Sequence, residues 1–200
     1  MKNLFPFLSF LMFILILTGR IIFLSFKGIR IRSQQKLKKK GMIFLYPVFL
    51  ILAFLWIFEI SKSAFQISFS ILPDIISQAL FESGFLYLSG IFLVVISLIT
   101  LLFSLIHFRH SFRFGFDSKN RGELITKGIL SITRNPFFLS IDVYFLGIAL
   151  IYANLFFIGY AVLAIISIHF YILKEEKFML KVYGSEYLNY KKTVKRYIMF

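Results

Sequence analysis

Long apolar runs, separated by short basic segments, dominate the pattern of residues along this chain. Five of these runs have about the length needed to cross a hydrocarbon core, which takes about 20 apolar residues. They are Leu4 to Phe26, Met42 to Ile60, Phe85 to His107, Phe137 to Ala153, and Leu155 to Leu173. The pattern predicts an all-α, polytopic integral membrane protein with about five transmembrane helices, the last two forming a tight hairpin.

Segment 61–84 is the one sizeable connection predicted on the face opposite the basic segments. Its apolar residues, among them Phe65 and Phe69, indicate a short amphipathic piece that lies in the membrane interface. We expect Pro73 to break this piece, because proline cannot continue a helix from the preceding residue without strain.

Composition supports the membrane assignment and excludes several classes of function. Hydrophobic residues make up 59% of the 200 residues, and the mean hydropathy is +0.85, more than a soluble core of this size would bury. The net charge is +14, and the basic residues that cause it lie beside the apolar runs. Because attraction to anionic lipid headgroups accounts for basic residues at such places, we expect no nucleic-acid partner. The absence of cysteine excludes disulfides and thiolate chemistry.

The basic residues also predict an orientation. Of the 23 lysines and arginines, 20 lie in segments 27–40, 108–136 and 174–200. Because basic residues in short loops stay on the cytoplasmic side, five spans place the N-terminus outside and the C-terminus in the cytosol. The abundance of Phe, Ile and Lys is typical of an AT-rich prokaryotic genome, which would make this the cytoplasmic membrane.

The candidate chemistry lies where the last hairpin begins and ends. Arg134-Asn135-Pro136 opens the fourth run with proline in the first turn, and the fifth run brings Glu175 and Glu176 back to the same membrane level. Backbone N–H groups, a carboxylate pair and aromatic rings would suit a zwitterionic cation such as S-adenosylmethionine. These residues alone do not select that ligand over others.

From Ser111 to Arg196 the chain resembles the isoprenylcysteine carboxyl methyltransferase family of integral-membrane methyltransferases, which includes proteins similar to phospholipid methyltransferases. The order and spacing of several short elements carry the resemblance. They are Ser111-Phe112-Arg113-Phe114-Gly115, Leu124-Ile125-Thr126-Lys127-Gly128, Arg134-Asn135-Pro136-Phe137-Phe138-Leu139, Gly147, Glu175-Glu176, Leu180, Gly184, Tyr187, Tyr190, Val194 and Arg196.

From the apolar runs we expect one integral-membrane domain over residues 1–200, with three transmembrane helices in 1–107, and the resemblance implies a methyltransferase-like region in 108–200. That region would contain a cofactor-binding loop, the helical hairpin and a cytosolic tail. S-adenosylmethionine is the implied cofactor, and a lipid or lipidated molecule of the bilayer is the implied partner. The matching cofactor-binding positions are Leu124, Ile125, Asn135, Pro136, Phe137, Phe138 and Glu175, and the candidate catalytic residues are Arg134, Asn135 and Glu176.

Three positions depart from the family pattern. Asn135 stands where histidine is common and still offers a hydrogen-bond donor and an acceptor, whereas Phe138 stands where tyrosine is common and lacks the hydroxyl. Tyr171 replaces an arginine suited to a substrate carboxylate. Tyr171 is therefore either a contact for a different headgroup or an interfacial anchor, of which we favour the anchor.

Asp142 is the second candidate for contact with the substrate. It lies about 8 Å into the fourth run. Because ionisation in hydrocarbon is costly, an acidic residue at such a depth suggests a functional role. A pairing with a basic residue near the inner surface is the alternative. The histidines, His107, His110 and His169, lie on separate segments without the spacing of a zinc site, so we expect no metal.

The sequence thus predicts methyl transfer from S-adenosylmethionine to a carboxylate or amine of a membrane-soluble acceptor. A carboxylate needs no general base, whereas an amine must lose a proton, and no residue identifies itself as the base. Two alternatives stay open: an NADPH-dependent enzyme similar to membrane sterol reductases, and a non-catalytic membrane scaffold.

Overall fold

Helices form the regular structure of residues 4–29, 45–108 and 123–198, which are the residues that the computed structural model describes. Their bounds are α1 Leu4–Phe26, α2 Leu45–Phe65, α3 Asp74–Ser77, α4 Gly84–His107, a 3-10 turn Gly128–Ser131, α5 Pro136–Tyr152, α6 Leu155–Tyr183 and α7 Ser185–Thr193. No strand occurs within those three ranges. The prediction of an all-α, polytopic membrane protein is confirmed.

Four of these helices, α1, α2, α4 and α6, are long and apolar enough to cross a membrane. Helix α5 is apolar but has only 17 residues, which corresponds to roughly 26 Å and to about the shortest length that spans a bilayer core. Helix α6 has 29 residues and continues for ten residues past the predicted end at Leu173. This extension carries Glu175 and Glu176 on helical backbone.

The connection between α2 and α4 differs from its prediction. Residues 61–65 belong to α2, and Pro73 precedes the short helix α3 instead of breaking a longer one. This connection is attached to the turn of the hairpin: the Leu80 amide donates to the Ala153 carbonyl at 2.9 Å, and Asn154 Nδ2 donates to the Ser77 carbonyl at 2.8 Å. The turn is tight because Ala153 adopts a left-handed conformation.

Helices α4 and α5 pack closely along their length through two glycines. A Cβ atom added at Gly90 would lie 2.7 Å from the Gly147 carbonyl oxygen, and one added at Gly147 would lie 2.8 Å from a Val94 methyl group. Any side chain at either position would therefore push the helices apart. Small residues at such a contact let backbones approach within a membrane.

The buried core lies in two layers along the bundle. The layer toward the hairpin turn surrounds Trp56, which contacts the rings of Tyr144 and Phe157, and Tyr144 shares a hydrogen bond of 3.1 Å with Ser9. The layer toward the other end consists of Leu24, Leu101, Leu105 and Phe137. We call this second end of the bundle, where α1 and α4 end and α5 begins, the tail end.

The C-terminal residues return across the tail end. Gly184, with φ of 56°, ends α6, as predicted, and α7 follows at once. Tyr187 and Tyr190 of α7 form a small core with Val194, against which Leu124 packs. The prediction that these tyrosines pack the tail against the bundle is confirmed.

Candidate active site

A buried carboxylate joins three chain segments at the tail end. Glu176 Oε1 accepts hydrogen bonds from Arg134 Nη2 at 2.8 Å and from Arg196 Nε at 2.9 Å, and Glu176 Oε2 accepts one from Arg196 Nη2 at 2.8 Å. The side chains of Arg134 and Glu176 are 6% and 7% exposed. We call Arg134, Glu176 and Arg196 the ion-pair cluster; it connects the start of α5 and the end of α6 to the C-terminal residues.

Residues 194–198, the C-terminal strap, lie against the turn that precedes α5. The Arg134 amide donates to the Lys195 carbonyl at 3.0 Å, and the Arg196 carbonyl accepts from Thr133 Oγ1 at 2.8 Å and from Asn135 Nδ2 at 3.2 Å. All three predicted catalytic residues, Arg134, Asn135 and Glu176, thus hold the strap in place. Their catalytic role stays a prediction.

Glu175, the neighbour of Glu176, has a different environment. Its Oε2 atom is buried and has no hydrogen-bond partner in the structure, and none of the ion pairs among the described residues includes it. A buried carboxylate oxygen without a donor is costly. Among the described residues, Arg134 and Arg196 both bind Glu176 and form no ion pair with Glu175.

The other predicted cofactor positions divide into two groups. Leu124 is half-buried against the α7 tyrosines, and Ile125 is half-buried beside it in the chain. Phe137 instead faces the core formed with α1 and α4, and Phe138 bridges from it to α6, with ring centroids 5.3 Å from both Phe137 and Tyr171. Pro136 is buried as the first residue of α5.

Tyr171 therefore packs against Phe138. Both residues occupy positions that depart from the family pattern. This contact agrees with the anchor interpretation of Tyr171, although a contact with substrate stays a prediction. The absent hydroxyl at position 138 leaves an aromatic surface at this point of the helix pair.

Charges and burial at the tail end shift the pKa values of several groups. The hydrogen bond from Arg196 to Glu176 raises the pKa of the Arg196 guanidinium above its ordinary value. Burial raises the pKa of Tyr187 to about 12, and the charge of Glu176 acts in the same direction. Both groups consequently keep their protons at neutral pH: Arg196 stays cationic and Tyr187 stays a neutral hydrogen-bond donor.

A second polar group lies along the hairpin, one to two turns from the ion-pair cluster. Asp142 of α5 is 8% exposed, and its buried Oδ1 atom has no hydrogen-bond partner within residues 4–29, 45–108 and 123–198. It lines a cavity of about 490 Å³ together with Ile165, Ile166, His169, Phe170 and Tyr197. His169 Nδ1 and Tyr197 Oη form a hydrogen bond of 2.9 Å across its wall.

The structure joins Arg134, Asn135 and Glu176 through the strap and brings Phe138 against Tyr171. Phe137 belongs to the core, and Asp142 lines the cavity along the hairpin. Sequence reasoning missed the roles of Arg196 as counter-ion and of His169 as a neighbour of Tyr197. The spacing of seven residues between His169 and Glu176 could have placed His169 on the same helix face. Arg113 and the rest of segment 109–122, including His110, lie outside the described residues.

No group of three His, Asp or Glu side chains that could hold a metal occurs in the described ranges. The expectation that the protein uses no metal stays a prediction.

Comparison with known proteins identifies the family. The model of the phospholipid methyltransferase family matches residues 85–186, just over half of the chain. The chain belongs to the phospholipid methyltransferase family. No curated protein matches the chain in a direct comparison.

The match to the phospholipid methyltransferase family runs from the first turn of α4 into α7. It includes Arg134 and the Glu175-Glu176 pair, whereas Arg196 and Tyr197 of the strap lie beyond it. Membership makes this a membrane methyltransferase in class, consistent with the apolar helices that can span a bilayer. The strap is seen in the structure and lies outside the region that the family model matches.

Proposed function

We propose that the protein transfers a methyl group from S-adenosylmethionine to a carboxylate or amine of a membrane-soluble acceptor, at the tail end of the bundle. The observation that carries this proposal is the contrast within the carboxylate pair. Glu176 is saturated by arginines, while the adjacent Glu175 presents a buried oxygen without a partner. An amino group is the kind of ligand that such an oxygen would bind.

The residues present fit this donor. Glu175 would pair with its amino group, and the half-buried Leu124 and Ile125 lie on the side where α7 packs. Phe138 and Tyr171 offer aromatic surface, against which a sulfonium is stabilised. When bound, S-adenosylmethionine would supply an electrophilic methyl group, which an acceptor oxygen or nitrogen attacks with its lone pair as the bond between carbon and sulfur breaks.

The chain itself would contribute position and the exclusion of water. The ion-pair cluster fixes the strap across the start of α5, so that the site is bounded by α5, α6 and the tail. For a carboxylate acceptor such positioning supplies most of the rate, because no proton must be removed. For an amine acceptor, Glu176, Asp142 or a tyrosine would have to take the proton.

We further propose that the tail end faces the cytosol and that the N-terminus lies outside. The support is the distribution of basic residues, since Lys191 and Lys192 lie in the last turn of α7, Lys195 lies in the strap, and the last part of α6 carries Lys174, Lys177 and Lys181. This orientation would give the donor site access to soluble S-adenosylmethionine. A prokaryotic cytoplasmic membrane is the proposed location.

Calorimetric binding to the detergent-purified protein tests the donor site. We expect S-adenosylmethionine and S-adenosylhomocysteine to bind, and Glu175→Gln to weaken binding at least tenfold, since a hydrogen bond to a charged group contributes about 1.5–3 kcal/mol. Glu186→Gln, on exposed α7 surface, is the matched control and should bind as the natural chain does. Binding of NADPH without either sulfur ligand would instead favour a reductase, and binding of none of the three would favour a scaffold.

A further inference from the structure

The cavity between α5 and α6 has an outer wall of apolar side chains. Ile166 and Phe170 of α6 line it and are 49% and 60% exposed, and both lie within a helix long and apolar enough to span the membrane. Side chains so exposed on a spanning helix face lipid. The cavity is therefore reached from the bilayer rather than from water.

The lining of the same cavity is mostly apolar, and its few polar groups come from Asp142, His169 and Tyr197. Asp142 contributes a carboxyl group that is nine-tenths buried and has one oxygen without a partner, while His169 and Tyr197 are bound to each other. A volume of about 490 Å³ lies within the range of small-molecule sites. It has room for a polar headgroup and the first part of an alkyl chain.

We propose that Asp142 is the specificity-determining residue of a lipid subsite in this cavity, where it holds a headgroup that donates hydrogen bonds and disfavours one that is a carboxylate. The unpartnered oxygen of Asp142 needs a donor, and an anionic headgroup beside it would meet like charge. The His169–Tyr197 pair forms the opposite polar surface and aligns the headgroup between α6 and the strap.

The strap connects this subsite to the donor site. Tyr197 follows Arg196, which Glu176 holds by two hydrogen bonds, so the wall of the cavity depends on the ion-pair cluster. Burial raises the pKa of Tyr197, and the nearby charge of Asp142 acts in the same direction, so the hydroxyl that shares a hydrogen bond with His169 keeps its proton at neutral pH. The strap therefore supplies part of the wall of the subsite and is held there by the residue next to Glu175.

The inference rests on the proposed function for the identity of the occupant as methyl acceptor, but its binding can be measured without a methyl donor. Because the chain contains no cysteine, Ile166→Cys provides a single attachment point for an environment-sensitive fluorophore at the cavity wall. Val162→Cys, one turn earlier on α6 and 52% exposed, is the matched control outside the lining. The probes are dodecylamine, dodecyltrimethylammonium and dodecanoate.

We expect the label at position 166 to respond to dodecylamine at a concentration at least tenfold lower than to dodecanoate, and the label at 162 to show no such preference. Dodecyltrimethylammonium, which has the charge but no N–H donor, should bind several-fold more weakly than dodecylamine. Asp142→Asn, similar in shape, should reduce the preference for amine over carboxylate to less than threefold.

A preference for dodecanoate, equal responses at positions 162 and 166, or a preference that persists in Asp142→Asn would overturn the proposal. Equal binding of dodecylamine and its trimethyl analogue would overturn the claim that Asp142 selects a headgroup that donates hydrogen bonds. The comparison of the three probes on the protein with its natural Asp142 tests the proposal even if Asp142→Asn does not fold. Calorimetry with S-adenosylmethionine on the same protein separates failure of this subsite from failure of the methyltransferase proposal.

Discussion

At the residue scale, two adjacent glutamates have opposite environments. Glu176 contacts Arg134 and Arg196 at 2.8 Å and is buried, whereas the buried oxygen of Glu175 contacts no donor. The first arrangement holds chain segments together, and the second is the basis for the proposed contact of Glu175 with the methyl donor. Because of this difference, a substitution of either glutamate can serve as the control for the same substitution of the other.

Glu176→Ala should lower the stability of the protein far more than Glu175→Ala. Removal of Glu176 leaves two arginines near the start of α5 without their counter-ion, and breaking a buried pair in this way costs about 3–5 kcal/mol. Thermal unfolding in detergent measures the effect, for which we expect a clear fall of the midpoint in Glu176→Ala and little change in Glu175→Ala. Equal midpoints would mean that the ion-pair cluster does not hold the strap.

Gly128→Ala should also destabilise the tail end. Gly128 has φ of +69°, and an added Cβ would lie 1.9 Å from His107 Cδ2, so the substitution meets both strain and a clash. Gly28→Ala, with the same φ but open space around it, is the control that isolates the clash. We expect a lower unfolding midpoint in Gly128→Ala than in Gly28→Ala, and the reverse order would refute the packing of the 3-10 turn on α4.

At the element scale, the contact of α4 with α5 depends on glycine. An alanine at Gly90 would bring its Cβ to 2.7 Å from the Gly147 carbonyl, and backbone there cannot give way as a flexible side chain does. Overpacking of this kind costs about 1–3 kcal/mol. Because Arg134 and Asn135 directly precede α5 and Phe138 lies in its first turn, displacement of α5 would also disturb the proposed donor site.

Gly90→Ala should therefore reduce both the unfolding midpoint and the affinity for S-adenosylmethionine. Gly159→Ala in α6, where an added Cβ meets nothing within 4 Å, is the matched control and should change neither. Thermal unfolding and calorimetry on both variants provide the check. A Gly90→Ala protein that melts and binds as the natural chain does would contradict the close packing of these helices.

The helices themselves could be predicted from the sequence because apolar runs bounded by basic residues mark spans almost directly. The match of α1 to the predicted Leu4–Phe26 shows this, as does α4 within one residue. The end of α6 could not be placed in this way, because Lys174, Glu175 and Glu176 end the apolar run while remaining good helix formers, and the helix continues to Gly184.

The candidate site could be predicted in part. The residues at the start of α5 and the glutamate pair follow from their places at the two ends of one hairpin. The partners of these residues could not be predicted. Arg196 lies 20 residues beyond Glu176, and it reaches Glu176 only because the chain turns at Gly184 and α7 packs through Tyr187 and Tyr190. Pairing across such a turn depends on tertiary packing rather than on local pattern.

At the scale of the whole molecule, the bundle has one end that is rich in basic side chains and one that is not. The ion-pair cluster, the strap and the end of α6 lie at the former, and the hairpin turn at Ala153 lies at the latter. By the positive-inside rule, this distribution favours the orientation proposed above, with the basic end in the cytosol. A methyl donor from the cytosol and an acceptor from the bilayer would meet at the tail end.

Single cysteines test this orientation in intact cells, because the chain has none of its own. A cysteine at Ile198, exposed in the strap, should be protected from a membrane-impermeant thiol reagent until the membrane is opened, whereas one at Phe69, exposed between α2 and α3, should react at once. The opposite pattern would place the tail outside and remove the donor site from its supply of S-adenosylmethionine.

The most direct test of the account is transfer of labelled methyl groups from S-adenosylmethionine to lipid by the purified protein in vesicles of bacterial lipid extract. We predict label in the organic phase with the natural chain and with Glu186→Gln, and at least a tenfold lower rate with Glu175→Gln at equal folded concentration. Transfer at the same rate by Glu175→Gln would contradict the assignment of the donor site, and no transfer above protein-free vesicles would contradict the proposed methyl transfer to a lipid.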